Sequence, residues 1–240
     1  MNWYAFLMGA GASLGLWRVA HGVTERHSLR WTTAGLLVLF SAMLFARLGY
    51  FVVYPAYFQA QGMQALAPSA GGYVWPGALL GGWLAIGLIS WLRRIPFLHT
   101  TDRLLPLLPP MAVMAWLACW PGGCAYGPEM LGGWWAPLAL DESGAVLHRM
   151  PLQWLAALSL LVLYFGLENH FPERRPGQPA ALTWLVFSVH TFLFSWLRAD
   201  LRSEWMGLTW DLWAALVCVL LALVFCLVTF WPTHTVEKLA

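Results

Sequence analysis

Seven apolar stretches, at residues 3–20, 32–54, 73–92, 104–120, 150–167, 179–197 and 211–231, dominate the chain and restrict what it can fold into. Each approaches the roughly 20 mostly apolar residues that cross a hydrocarbon core about 30 Å thick. Inside a bilayer every backbone N–H and C=O needs an internal partner, so stretches of this kind form continuous helices. Composition agrees: 60% of the 240 residues are hydrophobic and 10% are charged, against about 25% charged in an ordinary globular domain. Mean hydropathy is +0.64. A soluble fold of this size leaves about 30% of its unfolded surface in water, and this chain has too few polar residues to cover that surface. The same figures exclude a disordered chain, a coiled coil, a nucleic-acid-binding protein and a small disulfide scaffold. The expected class is an all-α integral membrane protein, one transmembrane domain over residues 1–240 with seven crossings.

The basic residues set an orientation. Connections after the first, third and fifth stretches, with the C-terminal tail, hold Arg26, Arg30, Arg93, Arg94, Arg103, Arg174, Arg175 and Lys238. The other connections hold Arg149, Arg198 and Arg202, each beside the end of a stretch. The excess of Lys and Arg on the cytoplasmic side predicts an outside N-terminus and a cytoplasmic C-terminus. Met1 and Asn2 lead straight into apolar sequence without a basic n-region, so no cleavable signal peptide is expected. The outer side then carries the long connections. Residues 55–72 hold no charge but include Tyr57, Phe58, Met63 and Leu66, which predicts an arm lying in the membrane interface. Residues 121–149, rich in Gly, Trp and Pro, predict a small external lobe. Cys218 and Cys226 behave as small hydrophobes within a span. Cys119 and Cys124, five apart, fit a disulfide or a metal site, although no CxxC or nearby His pair accompanies them.

Ionisable groups within a span are site candidates, because burying them costs at least a few kcal/mol unless they find partners. Arg47, in the outer part of the second stretch, reads either as a guanidinium clamping a phosphate or carboxylate, or as one that snorkels or pairs internally. His190 in the sixth reads as a base or head-group ligand, or as one end of an interhelical hydrogen bond. Arg198, Asp200, Arg202 and Glu204 form a mixed-sign cluster that either neutralises itself or sends Arg198 inward. His148 and Arg149 precede the fifth stretch and face the same outer side. Tyr4 opens the first stretch, where aromatic belts also place Tyr. Asp211 suits the positive terminus of the seventh helix, and Arg18 lies near the inner end of the first. The small residues of GALLGG (77–82) permit close approach of a backbone or a lipid chain, and GGCAYG (122–127) forms a turn with N–H groups suited to an anion or simply to turning.

In order, these landmarks resemble the prolipoprotein diacylglyceryl transferase family. Its WYGLM-like start is matched by Trp3-Tyr4-Ala5-Phe6-Leu7-Met8, and its GRLGY by Ala46-Arg47-Leu48-Gly49-Tyr50. Pro76-Gly77-Ala78-Leu79-Leu80-Gly81 resembles its HGGLLG, and Asp102 with Pro106 its Asp and Pro opening the fourth helix. GGCAY before Gly127 resembles the GCCYG of distant members, and Arg149-Met150-Pro151-Leu152-Gln153 its RHPTQ. Trp196-Leu197-Arg198-Ala199-Asp200, then Gly207-Leu208-Thr209 with Trp213, resemble its FLRGD and GLS-x-x-x-W. The resemblance implies seven helices, an arm after the second and a lobe after the fourth. It also implies transfer of a diacylglyceryl group from phosphatidylglycerol to a lipoprotein cysteine, in lipoprotein biosynthesis at the bacterial inner membrane.

Several positions depart from the family pattern. Its histidine is Pro76, the arginine and asparagine of its signature are Trp116 and Cys119, and a glutamate is Ala156. The arginine and glutamate on the sixth helix are Thr191 and Ser195. Tyr4, Arg47, Gly127 and Arg198 remain. Two expectations follow. The first is a non-catalytic relative, an accessory or lipid-binding subunit of a larger membrane assembly, touching lipid head groups through Tyr4, Arg47, Gly127, Arg149 and Arg198. The second is an active diacylglyceryl or head-group transferase that uses Tyr4, Arg47, His148, Arg149, His190 and Arg198 around an outer-leaflet pocket. Neither needs a cofactor or metal. The partners implied are a phosphatidylglycerol-like phospholipid and proteins of a membrane complex, with no nucleic acid.

Overall fold

The computed structural model describes residues 3–22, 24–62, 72–141, 143–170 and 175–231. Long helices account for most of them: α1 (Trp3–His21), α2 (Glu25–Val53), α4 (Trp75–Arg93), α6 (Leu108–Gly122), α7 (Leu152–His170), α8 (Gln178–Trp196) and α9 (Trp210–Phe230). The described residues also form two short helices, α3 (Pro55–Gln61) and α5 (Phe97–Leu104), and two antiparallel hairpins. The hairpins are β1 (Leu138–Leu140) with β2 (Val146–His148), and β3 (Glu204–Trp205) with β4 (Leu208–Thr209). The remainder of the expected arm, with Met63 and Leu66, and the basic residues Arg174 and Lys238 lie outside the described residues.

Among the described residues, six segments are long and apolar enough to cross a bilayer: Glu25–Val53, Trp75–Arg93, Phe97–Gly122, Leu152–Asn169, Gln178–Trp196 and Trp210–Phe230. Helix α1 has 19 residues, but Gly9, Gly11, Ser13, Gly15 and Arg18 dilute its apolar character. The packing is inverted relative to a soluble protein. Small residues such as Gly11, Gly15, Ala34, Gly35, Ala46 and Gly81 face inward, while Phe40, Leu84, Leu88, Phe165 and Val224 face outward. Lipid solvates the large side chains as well as a core would, so close backbone approach through small residues drives helix association. Helices α2 and α4 illustrate it: a Cβ on Gly81 would stand 2.5 Å from the Ser41 carbonyl oxygen, and Ser41 Oγ donates to the Gly81 carbonyl at 2.8 Å. The GALLGG face therefore meets another backbone.

The fourth apolar stretch starts earlier than residue 104. It begins at Phe97 with the amphipathic α5, passes through a 3-10 turn at Leu105–Leu107 and continues as α6. Pro106 has no N–H to give an α-helical ladder, so the chain tightens there and resumes with Pro109 and Pro110 in the first turn of α6, where missing donors cost nothing. Asp102 on α5 takes up two orphan donors of α8, accepting from Gly177 N–H at 2.6 Å and Ala180 N–H at 3.1 Å. Helix α2 likewise extends to Glu25, beyond the apolar stretch that starts at 32.

Candidate functional site: the polar end of the bundle

The starts of α1, α4, α7 and α9 and the ends of α2, α6 and α8 meet at one end of the bundle, beside the β1–β2 lobe. Tyr4, Arg47, Gly127, His148, Arg149, Arg198, Asp200, Arg202 and Asp211 lie towards that end, where tertiary contacts sort them into separate groups; His190 lies deeper in the bundle, and Arg18 is paired with Glu168 near the other end.

Arg47 lies on α2 beneath the arm. Its Nη1 donates to the Gly72 carbonyl at 2.9 Å. Its guanidinium stands 5.1 Å from the Phe58 ring centre and 5.5 Å from that of Tyr73, with Tyr50 and Tyr57 at 5.9 and 6.0 Å. Within about 6 Å an aromatic face attracts a cation, so α3 and residues 72–74 close over Arg47 as an aromatic cage. Tyr4 packs from α1 against the end of α6, where a Cβ on Gly122 would touch its ring at 3.2 Å.

Arg198 follows α8 and forms a four-charge cluster with residues before and at the start of α9. It grips Asp200 in two-point geometry, Nε–Oδ1 at 2.9 Å and Nη2–Oδ2 at 2.5 Å, and reaches Asp211 Oδ2 at 3.2 Å. Arg202 Nη1 donates to both Asp211 oxygens at 3.0 and 2.8 Å, and its Nη2 caps the Ser195 and Arg198 carbonyls. Two guanidiniums and two carboxylates sum to zero charge. Burial works to lower the Arg198 pKa, but the hydrogen bond and charge of Asp200 and the charge of Asp211 outweigh it and hold the group above the ordinary guanidinium value. Nearby, Trp210 Nε1 donates to the Tyr54 hydroxyl at 3.2 Å.

Arg149 and His148 belong to the lobe. Arg149 is 8% exposed, pairs with Asp141 at 3.1 Å and lies 4.1 Å over the Tyr126 ring. Asp141 heads the turn between β1 and β2. Its Oδ1 accepts from the Ser143 hydroxyl at 2.6 Å and from Ser143 and Ala145 N–H at 2.9 Å. The Ser143 hydroxyl is the largest influence on its carboxyl; burial opposes it, and with the two N–H groups and Arg149 the pKa falls below the ordinary 3.8. His148 Nδ1 faces the Ala136 carbonyl at 2.6 Å. Gly127 is needed for close packing, since a Cβ there would stand 2.8 Å from the Met150 backbone oxygen. The Tyr126 carbonyl accepts from Ala199 N–H at 2.9 Å, tying this group to the Arg198 segment.

Two N–H groups of the GGCAYG turn close α6. Gly123, at φ 64°, closes the helix by donating to Trp120, and Cys124 N–H donates to Cys119. The two cysteines form a disulfide, and Gln153 Nε2 donates to the Cys124 carbonyl at 2.9 Å. Deeper in the bundle, His190 Nε2 meets Ser159 Oγ of α7 at 2.9 Å. Its ring stacks on Phe194 at 4.3 Å, with Trp116 edge-on at 6.2 Å.

Sequence reasoning did not single out Asp141, Ser159, Tyr54 or Tyr73. Asp141 had a signal, an acidic residue opening a D-x-S-G turn eight positions before Arg149. The others are aromatic or hydroxyl side chains common in any membrane helix, and only their neighbours distinguish them.

A bundle of apolar helices with inward-facing small residues and a lobe-covered polar end defines a multi-pass helical membrane protein. The model of the family "Prolipoprotein diacylglyceryl transferase" matches residues 1–228, and the chain belongs to that family. The phosphatidylglycerol–prolipoprotein diacylglyceryl transferase of Nitratidesulfovibrio vulgaris (strain DP4) is 24% identical over 91% of this chain and 85% of its own length. That of Beijerinckia indica subsp. indica is 28% identical over 93% and 87%. That of Bordetella parapertussis is 26% identical over 82% and 78%.

Proposed function

We propose that this chain keeps the family's scaffold without its transfer chemistry, and serves as a lipid-binding accessory subunit of a larger assembly in a bacterial inner membrane. One observation carries the reading: the cations left at the polar end already have partners within the chain. Arg198 is held by Asp200 and Asp211, Arg149 by Asp141 and Tyr126, and Arg47 by the Gly72 carbonyl and an aromatic cage. Removing a diacylglyceryl group from a glycerophosphate needs positioned cations for the developing charge and a base for the thiol. Losing one positioned donor commonly costs about 10²–10³ in rate. Trp116 and Cys119 stand where the resemblance puts an arginine and an asparagine; Trp116 fills its place with an indole packed on His190 and Phe194, and Cys119 is tied to Cys124.

In this reading α1 is a seventh crossing, supported by its packing along α2 and α6 through Gly11, Gly15 and Leu16. The N-terminus is outside and the C-terminus cytoplasmic, as the charge distribution favours. α3 (Pro55–Gln61), from the expected arm (55–72), and the β1–β2 hairpin, from the expected lobe (121–149), cover the outer end of a single transmembrane domain. Tyr4, Arg47, Gly127, Arg149 and Arg198 frame that end against phospholipid head groups, as architecture more than as free ligands.

The activity for which the relatives are named favours a second reading, an active phosphatidylglycerol-dependent transferase using His148 or His190 as base. Purified chain in phosphatidylglycerol vesicles with a lipobox peptide separates the two. The expected result is no thioether-linked diacylglyceryl product, and robust transfer overturns the first reading. Mild-detergent purification with mass spectrometry should recover stoichiometric protein companions; a solitary chain would remove the accessory role.

A further inference from the structure

Large apolar side chains exposed on a membrane span are covered by lipid, but the short connection between α8 and α9 exposes them outside a span. Trp205, at the end of β3, is 61% exposed, and Met206, which opens the turn to β4, is 75% exposed. The hairpin has two unlike faces. Glu204 pairs with Thr209 and Trp205 with Leu208, and directly opposed residues share a face of the ladder. On the first face Thr209 Oγ1 accepts from Arg202 Nη1 at 3.3 Å, so that face belongs to the buried cluster of Arg198, Asp200, Arg202 and Asp211. Trp205 and Leu208 lie on the other.

Helix α9 fixes where that second face stands. The Trp205 ring packs 5.7 Å from that of Trp213, whose Nε1 donates to the Trp205 carbonyl at 2.9 Å. Trp213 lies in the first turn of α9, and Val217, Leu220, Leu221 and Val224 follow it at helical spacings, all of them exposed. Trp205 therefore continues the lipid-facing stripe of the span past its end. The 21 residues of α9 rise about 32 Å at about 1.5 Å each, close to the roughly 30 Å of a hydrocarbon core. Trp213 thus stands near the hydrocarbon boundary and holds Trp205 beside it, in the zone where Trp is enriched. The turn gives an independent sign. Met206 and Gly207 occupy its two central positions at φ 52° and 77°, the left-handed geometry for which a hairpin in water favours Asn-Gly or Asp-Gly. A long apolar side chain takes the first position instead, against its backbone preference, and contact with lipid offsets that cost.

We propose that the β3–β4 hairpin is a membrane wedge, with Trp205 and Met206 seated in the glycerol-ester and upper acyl zone of the leaflet around α9. The segment 197–209 is then fixed from two sides, by ion pairs within the chain and by lipid outside it. The wedge side chains carry no charge, so their partner is the uncharged zone common to phospholipids and not a particular head group. This placement holds whether or not the chain transfers a lipid group, and the outcome of a transferase assay leaves it untouched.

The test uses the full chain in phospholipid nanodiscs, with Cys218→Ala and Cys226→Ala removing the free thiols and a fluorescent label on Met206→Cys. Labels on Val217→Cys, in the lipid-facing stripe, and on Ala145→Cys, exposed in the β1–β2 turn, supply the lipid and water references. Lipid carrying a nitroxide high on its acyl chain should quench the label at Met206 at least about threefold more than the one at Ala145, and aqueous iodide should reverse that order. The lipid quenching should be the same in phosphatidylcholine and in phosphatidylglycerol nanodiscs. Trp205→Ser keeps the backbone carbonyl that Trp213 uses and should lower lipid quenching at Met206 about twofold. A label at Met206 as open to iodide as the one at Ala145, lipid quenching that depends on phosphatidylglycerol, or a label shielded from both quenchers by a second copy of the chain would each overturn the proposal.

Discussion

Replacing Asp211 by alanine tests whether the charges at the polar end serve architecture. Asp211 is 1% exposed and its two oxygens receive Arg202 at 2.8 and 3.0 Å and Arg198 at 3.2 Å. Removing one member of a buried pair costs about 3–5 kcal/mol, because the other charge stays buried without compensation. Here the loss is cushioned. Arg198 keeps its two-point grip on Asp200, and Arg202 keeps the Ser195 and Arg198 carbonyls. The lower end, about 3 kcal/mol, is therefore expected for Asp211→Ala. Replacing Arg202 by methionine as well removes the stranded charge, so the double variant should recover about 2 kcal/mol relative to simple addition. Unfolding of the four proteins of the cycle, followed by tryptophan fluorescence in mixed micelles with rising denaturing detergent, measures both quantities. A cost for Asp211→Ala below about 1 kcal/mol, the range of solvent-exposed pairs, would refute the reasoning and leave these arginines available for other work.

Three further perturbations address other parts of the fold. Gly81→Val drives a branched side chain into the Ser41 carbonyl and should cost about 3 kcal/mol or prevent folding, whereas Gly87→Ala, with nothing within 4 Å of its new methyl, should leave unfolding in micelles unchanged within about 0.5 kcal/mol. Asp102→Ala removes the acceptor for Gly177 and Ala180 N–H and should cost about 1–2 kcal/mol, with earlier hydrogen exchange in the first turn of α8. The pKa of Asp141 is lowered on folding, so its stabilisation is complete above its unfolded value near 3.8 and is lost as pH falls through the depressed folded value. The lobe tryptophans Trp134 and Trp135 should keep their fluorescence at pH 5 and report loosening only below the ordinary carboxylate range, and Asp141→Asn should abolish that acid step.

The helical spans were legible because lipid imposes a length and a polarity on any segment that crosses it, and residues 73–92 against α4 (Trp75–Arg93) show how closely. The fourth stretch was less legible at its start. α5 carries His99, Asp102 and Arg103 among its apolar residues, so a hydropathy reading begins at 104 while the helix begins at Phe97. The candidates were legible as residues and not as a site. His190 stood out as an ionisable group in a span, but its partner Ser159 is 31 positions away on another helix, and the Arg47 cage draws on α3 and on Tyr73 beyond the arm.

By itself the sequence determined the solvent, the helical class and the residues too costly to bury without company. Those follow from transfer free energies, which each segment carries wherever the rest of the chain lies. Only the tertiary structure decided the company: that Arg198 faces Asp200 and Asp211, that Arg149 lies on Tyr126, and that the GALLGG glycines meet a backbone rather than a lipid. Pairing of charges and close approach of helices depend on distances between segments far apart in the chain, and those distances exist only once the helices have packed.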